Sequence, residues 1–289
     1  MKNKTILITG GAGFIGRNLA ETLSKDNKVI ILDKNKIKAD IKHCNITSIC
    51  ADVRKKGWFS RIKKADCIFH LAATVGVDYV AAHPEETRST EVLGMRNIIE
   101  FARKKGVRKI VYSSTSSVYE AIKSPTAYNT AKLYSEQLLR NSRLTYSIIR
   151  LFNIYGRYQK DKMVVSKFIK NALANNDIII YSSGSQTRDF TYIDDATKAI
   201  IRVAESSKTD NRTIDIGTGQ ETKIIDLAKI VVKLTKSKSN IKKGKIPKQR
   251  EDYEVRNRVS DPKKLKSLTG LSCSTNLRTG ISKILENGD

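Results

Sequence analysis

Along the first 150 residues, short strand-like runs, most of them rich in consecutive apolar positions, alternate with longer stretches whose apolar positions recur every three or four residues. The short runs fall at residues 4–9, 29–32, 46–50, 67–71, 109–113 and 147–151. Such runs are too continuous for half-exposed strands and predict strands covered on both faces. Between them the spacing predicts helices from about Phe14 to Ser24 and near 55–64, 86–105 and 127–141. Strand-helix alternation of this kind predicts the α/β class: a Rossmann-type, doubly wound parallel sheet with helices on both faces.

After Arg150 the alternation loosens. Short strand runs are expected at 178–181 and 213–216, with helices near 164–175, 194–205 and 224–235 and a last helix near 276–286. Residues 1–152 are read as a nucleotide-binding domain. Residues 153–289 are read mainly as a smaller substrate-binding α/β lobe, some of whose chain returns to the first domain. No internal repeat or flexible linker interrupts this division.

Composition narrows the class. The 289 residues are 39% hydrophobic and 7% aromatic, which suits a folded core. No segment approaches the roughly 20 apolar residues of a membrane span. The apolar start runs into a glycine-rich loop without a small-residue cleavage pattern, so no signal peptide is expected and a cytoplasmic protein is the default. Cys44, Cys50, Cys67 and Cys273 form no CxxC pair; they read as small buried residues in a reducing compartment, not as a metal site or disulfide framework. The formal charge of +25 raises the question of a polyanionic partner. The basic residues, however, are spread along the chain in runs such as 34–42 and 233–248, with no aromatic-interleaved stripe. An anionic small-molecule substrate is therefore preferred to nucleic acid.

The candidate chemistry begins at Thr9-Gly10-Gly11-Ala12-Gly13-Phe14-Ile15-Gly16, which follows a strand and opens a helix. Gly10 permits a tight turn, Gly13 lets the backbone approach a pyrophosphate, and Gly16 allows close helix-strand packing. The helix N-terminus at Phe14 and Ile15 offers free N–H groups to the phosphates. Asp33 closes the next strand, where its carboxylate can accept both ribose hydroxyls and repel a 2′-phosphate. NAD is thus preferred to NADP, with Lys34 and Lys36 pulling the other way. Asp52 and Val53 either hold the adenine or cap the third strand.

Tyr128 and Lys132 stand four apart on a predicted helix and share one of its faces. A free tyrosine, with a pKa near 10, is a poor base at neutral pH; a neighbouring ammonium and a cationic nicotinamide would lower that value. The segment Ser113–Tyr119 puts hydroxyls at the C-terminal end of a parallel strand, where open α/β sheets bind their ligands.

Taken in order, TGGAGFIG at 9–16, Asp33, His70-Leu71-Ala72-Ala73, SSTSSVY at 113–119, YNTAK at 128–132, RLFNIYG at 150–156, the run from Gly184 to Asp195, the 214–219 turn, Arg250 and Asp261 resemble the extended short-chain dehydrogenase/reductases of the NAD-dependent epimerase/dehydratase family. The resemblance covers nearly the whole chain and is similar to UDP-glucose 4-epimerases in particular. It implies Thr115, Tyr128 and Lys132 as the catalytic set. It implies that Leu71, Ala72, Ala73 and Ser113 line the cofactor, which Tyr128 and Lys132 also touch. It implies Asn153, Arg188 and Arg250 as ligands of a nucleoside diphosphate, with Val164 and Val165 near the base. It also implies a homodimer pairing the helices at 86–105 and 127–141.

In the family's dehydratases and decarboxylases an acidic residue, usually Glu and often after Asp, stands two places after the catalytic Ser/Thr. Here Ser116 and Ser117 occupy those places, and neither can donate a proton at neutral pH. The resemblance therefore implies a 4-epimerase working through a transient 4-keto sugar. The alternatives are a nucleotide-sugar 4,6-dehydratase or decarboxylase, or a non-catalytic relative binding NAD or RNA. Two departures stand out. The connection from Thr115 to Tyr128 is short for the family, as is 155–163. Asn129 replaces the usual glycine after the tyrosine, which reads as a minor change.

Overall fold

The computed structural model describes residues 1–36, 44–161, 163–246 and 257–286. The first half of the chain runs β1 (Thr5–Thr9), α1 (Phe14–Leu23), β2 (Lys28–Asp33), β3 (Ile46–Cys50), β4 (Cys67–His70), α2 (Val77–Ala82), α3 (Pro84–Lys105), β5 (Lys109–Thr115), α4 (Ala127–Arg140) and β6 (Tyr146–Leu151). The second half runs β7 (Ile154–Tyr155), α5 (Val164–Leu173), β8 (Ile178–Tyr181), β9 (Thr187–Arg188), β10 (Thr191–Tyr192), α6 (Ile193–Glu205), β11 (Arg212–Ile216), β12 (Thr222–Lys223), α7 (Ile224–Thr235), β13 (Ile241–Gly244), β14 (Asn257–Arg258), α8 (Lys263–Thr269) and α9 (Leu277–Glu286).

Seven strands form one wholly parallel sheet in the order β11-β6-β5-β4-β1-β2-β3. The apolar runs of the sequence account for it: Ile6, Leu7 and Ile8 of β1 and Ile68 and Phe69 of β4 are fully buried, as strands covered on both faces must be. The strand order reverses at the β1–β4 pair, where Thr9 lies beside His70. Their C-terminal ends therefore open the crevice in which such sheets bind ligands. Strand β11, from the second half, completes the sheet by pairing in parallel with β6. Short ladders β10-β7, β12-β9-β14 and β13-β8 build the rest.

The core lies on both faces of the sheet. On one side α1, α5, α6, α7 and α9 bury Leu19, Phe168, Ile200, Leu227 and Ile281. On the other, Met95, Ile98 and Phe101 of α3 pack with Trp58, Ile68 and Tyr112.

The expected helix at 55–64 does not form. Its amides make three-residue turn bonds instead: Lys55 N to Asp52 O, Phe59 N to Lys56 O and Arg61 N to Trp58 O. Gly57 weakens any helix there, and Trp58, Phe59 and Phe101 lock into an aromatic trio with ring centroids 4.5 to 5.4 Å apart. The short helices α2 and α8 and the strand β13, inside the lysine-rich stretch, were not expected. Of the four cysteines only Cys67 and Cys273 are buried, against the expectation of four buried thiols; Cys50 is exposed on the edge strand β3 and Cys44 in the turn before it. No helix among the described residues is long and apolar enough to cross a membrane. Arg250 lies outside the described residues, as do positions 37–42 and 247–248 of the two basic runs.

Candidate active site

The glycine turn is built by close backbone approach. Gly10 has φ +70°, a left-handed conformation, and a side chain there would meet Ala72 N at 2.7 Å and Leu71 C at 2.8 Å. A Cβ at Gly16 would lie 2.4 Å from Gly10 O and 2.6 Å from Gly11 Cα. Gly16 thus makes room for the loop's own backbone, a different partner from the strand expected. Gly13 caps α1 without a side-chain hydrogen bond, and no acidic residue stands in the first turn. The amide end around Phe14 and Ile15 thus keeps its partial positive charge for an anion. This cradle fits a dinucleotide pyrophosphate.

Asp33 ends β2 with one carboxylate oxygen accepting from Ala12 N (3.1 Å) and the other from Asn35 N (2.9 Å), so it is fixed at the rim of the turn. Leu71 N bonds Thr9 O and Ala72 N bonds Thr9 Oγ1, holding Leu71-Ala72-Ala73 beside Gly10. Asp52 is taken up by Arg54, with contacts of 2.6 to 3.0 Å that hold its carboxyl below the usual carboxylate range. Val53 is buried, and its carbonyl accepts from Asn97.

At the end of β5, Ser113, Thr115, Tyr128 and Lys132 come together. Lys132 is 2% exposed and donates to Ser113 O at 2.7 Å. Its ammonium lies 5.8 Å from the centre of the Tyr128 ring. Thr115 stands close enough to the Tyr128 hydroxyl to favour its ionised form, and its own Oγ1 accepts from Ser117 N at 3.2 Å. The Tyr128 side chain is partly exposed as a whole, while its hydroxyl is buried. That burial raises the phenol above its ordinary value and outweighs the ammonium, which pulls it down. The expectation of a lowered Tyr128 is therefore corrected for the protein alone. Lysine and arginine charges supply part of the decrease, and desolvation cancels it.

Two further buried polar residues join this cluster: Glu91, which the sequence reading passed over, and His70, which it quoted in a motif without a role. Glu91 of α3, fully buried, faces Lys132 Nζ at 3.1 Å. Its other oxygen accepts from Tyr112 Oη at 3.0 Å. His70 is also fully buried, with Nδ1 2.7 Å from Thr9 Oγ1, and burial pushes it down to about 3. Beneath the hydroxyl loop, Glu136 is 1% exposed and receives Ser114 Oγ at 2.6 Å and Arg150 at 2.8 Å.

Asn129 does more than substitute for a glycine. It is the third residue of α4, and its Oδ1 accepts from Thr126 N (2.7 Å) while Thr126 Oγ1 accepts from Asn129 N (3.2 Å). This capping box fixes the first helical turn, which carries Tyr128. Asn129 Nδ2 also donates to Ser124 O at 2.9 Å.

On the opposite wall, Asn153 adopts φ +31° and donates to Asp189 O at 3.3 Å. Val164 opens α5 and is half-buried, whereas Val165 is only 2% exposed and is spent on the core. Arg188 donates to Thr187 O and lies level with Arg258 in the parallel β9-β14 pair. Arg258 carries no sequence signal of its own. It is mostly buried, its Nε meets no partner among the described residues, and burial together with Arg188 pushes it down to about 10. The charge of Arg258 reaches Tyr128. Asp189, fully buried, ties this wall to the sheet, accepting from Thr218 N, Gly219 N, Ser260 N and the Ser260 hydroxyl.

Comparison with known proteins agrees with this geometry. The family model described as the NAD dependent epimerase/dehydratase family matches residues 6–217. A UDP-N-acetyl-alpha-D-glucosaminuronate decarboxylase of Bacillus cytotoxicus is 32% identical, over 98% of this chain and 97% of its own length. A putative UDP-glucose 4-epimerase of Methanocaldococcus jannaschii is also 32% identical, over 97% of each chain. Among solved structures, a UDP-glucose 4-epimerase of Thermotoga maritima with UDP-glucose superposes with a TM-score of 0.89 at 27% identity, covering 98% of this chain and 97% of that one.

Proposed function

Since this chain belongs to the NAD dependent epimerase/dehydratase family, we propose that it is a nucleotide-sugar 4-epimerase acting on UDP-glucose or its N-acetyl analogue. The observation that carries the reading is the grouping of Thr115, Tyr128 and Lys132 at the C-terminal end of β5, with serines where an eliminating enzyme needs an acid. NAD, when bound on the glycine turn with its ribose at Asp33, supplies an acceptor for the C4 hydride and gives it back. Tyr128 takes the proton of the C4 hydroxyl and later returns it. Thr115 hydrogen-bonds the same oxygen and fixes its position. Lys132, seated on Ser113 O, favours the phenolate during that transfer and reaches the nicotinamide ribose.

Anchoring at the diphosphate leaves the 4-keto sugar free to turn and present its other face. Asn153 and Arg188 are suited to that anchoring by an amide and a guanidinium that match phosphate oxygens; Arg250 is proposed beside them on the resemblance alone. Val164 flanks the base. Two copies pair through α3 and α4, which pack together and leave Leu93 and Tyr134 exposed.

Incubation with UDP-glucose and UDP-N-acetylglucosamine should yield the C4 epimers by NMR without net NADH. A 4-keto-6-deoxy product, or CO₂ released from UDP-glucuronate, overturns this reading. The second reading, a uronate decarboxylase, is favoured by one observation. Arg258 offers a largely buried guanidinium near Tyr128, able to pair with a sugar carboxylate.

A further inference from the structure

Lys132 has two partners within the protein. One is the carbonyl of Ser113, on the strand that carries Thr115. The other is Glu91, contributed by a different helix, 3.1 Å away as an ion pair without an aligned hydrogen bond. Both side chains of the pair are almost wholly inaccessible, at 2% and 0% exposure. Burial pushes the Glu91 carboxyl above its ordinary value, while Lys132 and Tyr112 pull it back down, so a charge sunk in this way depends on compensation. It receives the Lys132 ammonium and the Tyr112 hydroxyl, while Ser135 Oγ donates to the Glu91 backbone carbonyl at 3.2 Å. The pair therefore joins α3 to α4 and β5, with the ammonium 5.8 Å from the centre of the Tyr128 ring.

The charges around the Tyr128 hydroxyl can be counted element by element. Helix α4 contributes Lys132, and β14 contributes Arg258; both favour the phenolate. From β4, His70 is held neutral by burial and by Lys132. From β5, Tyr112 is pushed well above its ordinary value by burial and Glu91, so it stays neutral as well. Glu91 of α3 is the one group of this set that opposes ionisation of Tyr128.

We propose that Glu91 is a positioning residue for the Tyr128–Lys132 pair, fixing the ammonium through its carboxylate and opposing that ammonium's charge at the phenol. The inference rests on the epimerase reading only for the reaction that Tyr128 serves. Its physical consequence is a phenol that remains protonated until further positive charge, such as a cationic nicotinamide, is placed beside it. An ion pair serving only to pin α3 against α4 would carry no such consequence.

The test is a phenolate absorbance titration at the tyrosinate band, made on NAD-loaded protein. The Tyr128 component is obtained as the difference between each protein and its Tyr128→Phe derivative. In Glu91→Gln the midpoint of that component should fall by about one pH unit, a tenfold change in the ionisation constant, as expected for one charge at this range in a partly buried site. The ascending limb of kcat/KM against pH should move with it. A midpoint that stays in place or rises in a folded Glu91→Gln protein overturns the proposal and leaves a structural ion pair.

If Glu91→Gln does not fold, Tyr112→Phe keeps the ion pair but removes the donor that stabilises the carboxylate. With its charge no longer dispersed by that donor, the carboxylate opposes the phenolate more strongly, so the Tyr128 midpoint should rise by about half a pH unit, a threefold smaller ionisation constant, and no movement counts against the inference. If wild type turns over no nucleotide sugar while the midpoint still moves in the stated direction, the epimerase reading fails and the Glu91 inference stands.

Discussion

Replacing Gly16 with alanine tests whether the glycine turn is shaped by backbone crowding around a bound pyrophosphate. The added Cβ would sit 2.4 Å from Gly10 O and 2.6 Å from Gly11 Cα, against an ordinary contact of at least 3.4 Å. Both obstacles are main chain, so the loop must retreat by about 1 Å. Overpacking of this kind costs about 1–3 kcal/mol, or roughly 2–12 °C of Tm for a chain of this size. The same retreat draws the loop amides away from the phosphates. Losing one charge-assisted hydrogen bond, worth about 1.5–3 kcal/mol, weakens NAD binding about 10- to 150-fold.

Isothermal titration with NAD and differential scanning calorimetry read the two effects separately. Gly57→Ala is the control, because a Cβ there meets nothing within 4 Å; it should leave both values unchanged. A Gly16→Ala protein that binds NAD within threefold of wild type refutes the reasoning, since the cradle would then not hold the pyrophosphate.

Tyr128→Phe should lower turnover of UDP-glucose at least 100-fold by steady-state assay while leaving the NAD Kd within threefold; loss of both would mean that the tyrosine serves binding. His70 gives a pH prediction of stated sign. Its folded value of about 3 lies below the unfolded value near 6.5, so its neutral state contributes stability that is full above that value and declines as pH falls toward 3. Between pH 7 and pH 5 this costs about 2 kcal/mol, and His70→Asn should narrow the drop in denaturant-measured stability by about that amount. For Asp33→Asn the preference for NAD over NADP, measured as a ratio of Kd values, should fall at least tenfold, and an unchanged ratio would remove Asp33 from cofactor selection.

Much of the frame was legible because burial on both faces leaves a plain mark. The strands at 46–50 and 178–181, and the helix at 224–235, appear with the expected bounds, but 46–50 is an edge strand that buries only Ile49 and is not covered on both faces as expected. The segment 55–64 misled because its apolar residues serve a local aromatic cluster and not a helix face. The glycine turn, Tyr128 and Lys132 were legible from spacing. Glu91 was not, because a glutamate in a helix rich in charge reads as solvated. A signal existed nonetheless: it stands four after Thr87 and four before Met95, both buried, on the inward face. Arg258 had no such signal, since only the pairing of β14 with β9 brings it level with Arg188. The direction of the Tyr128 shift could not be read from neighbours four apart, because desolvation depends on everything packed around the hydroxyl.

The interlock between Thr126 and Asn129 closes the start of α4 from within, drawing on nothing upstream of Ser124. Ahead of it the chain passes through Ile122, which is 90% exposed. A surface bend isolated in this way can accept extra residues without transmitting their disorder to the phenol two residues beyond the cap. Loops grafted at that point offer a route to reshaping which sugars enter, leaving the proton-transfer machinery undisturbed.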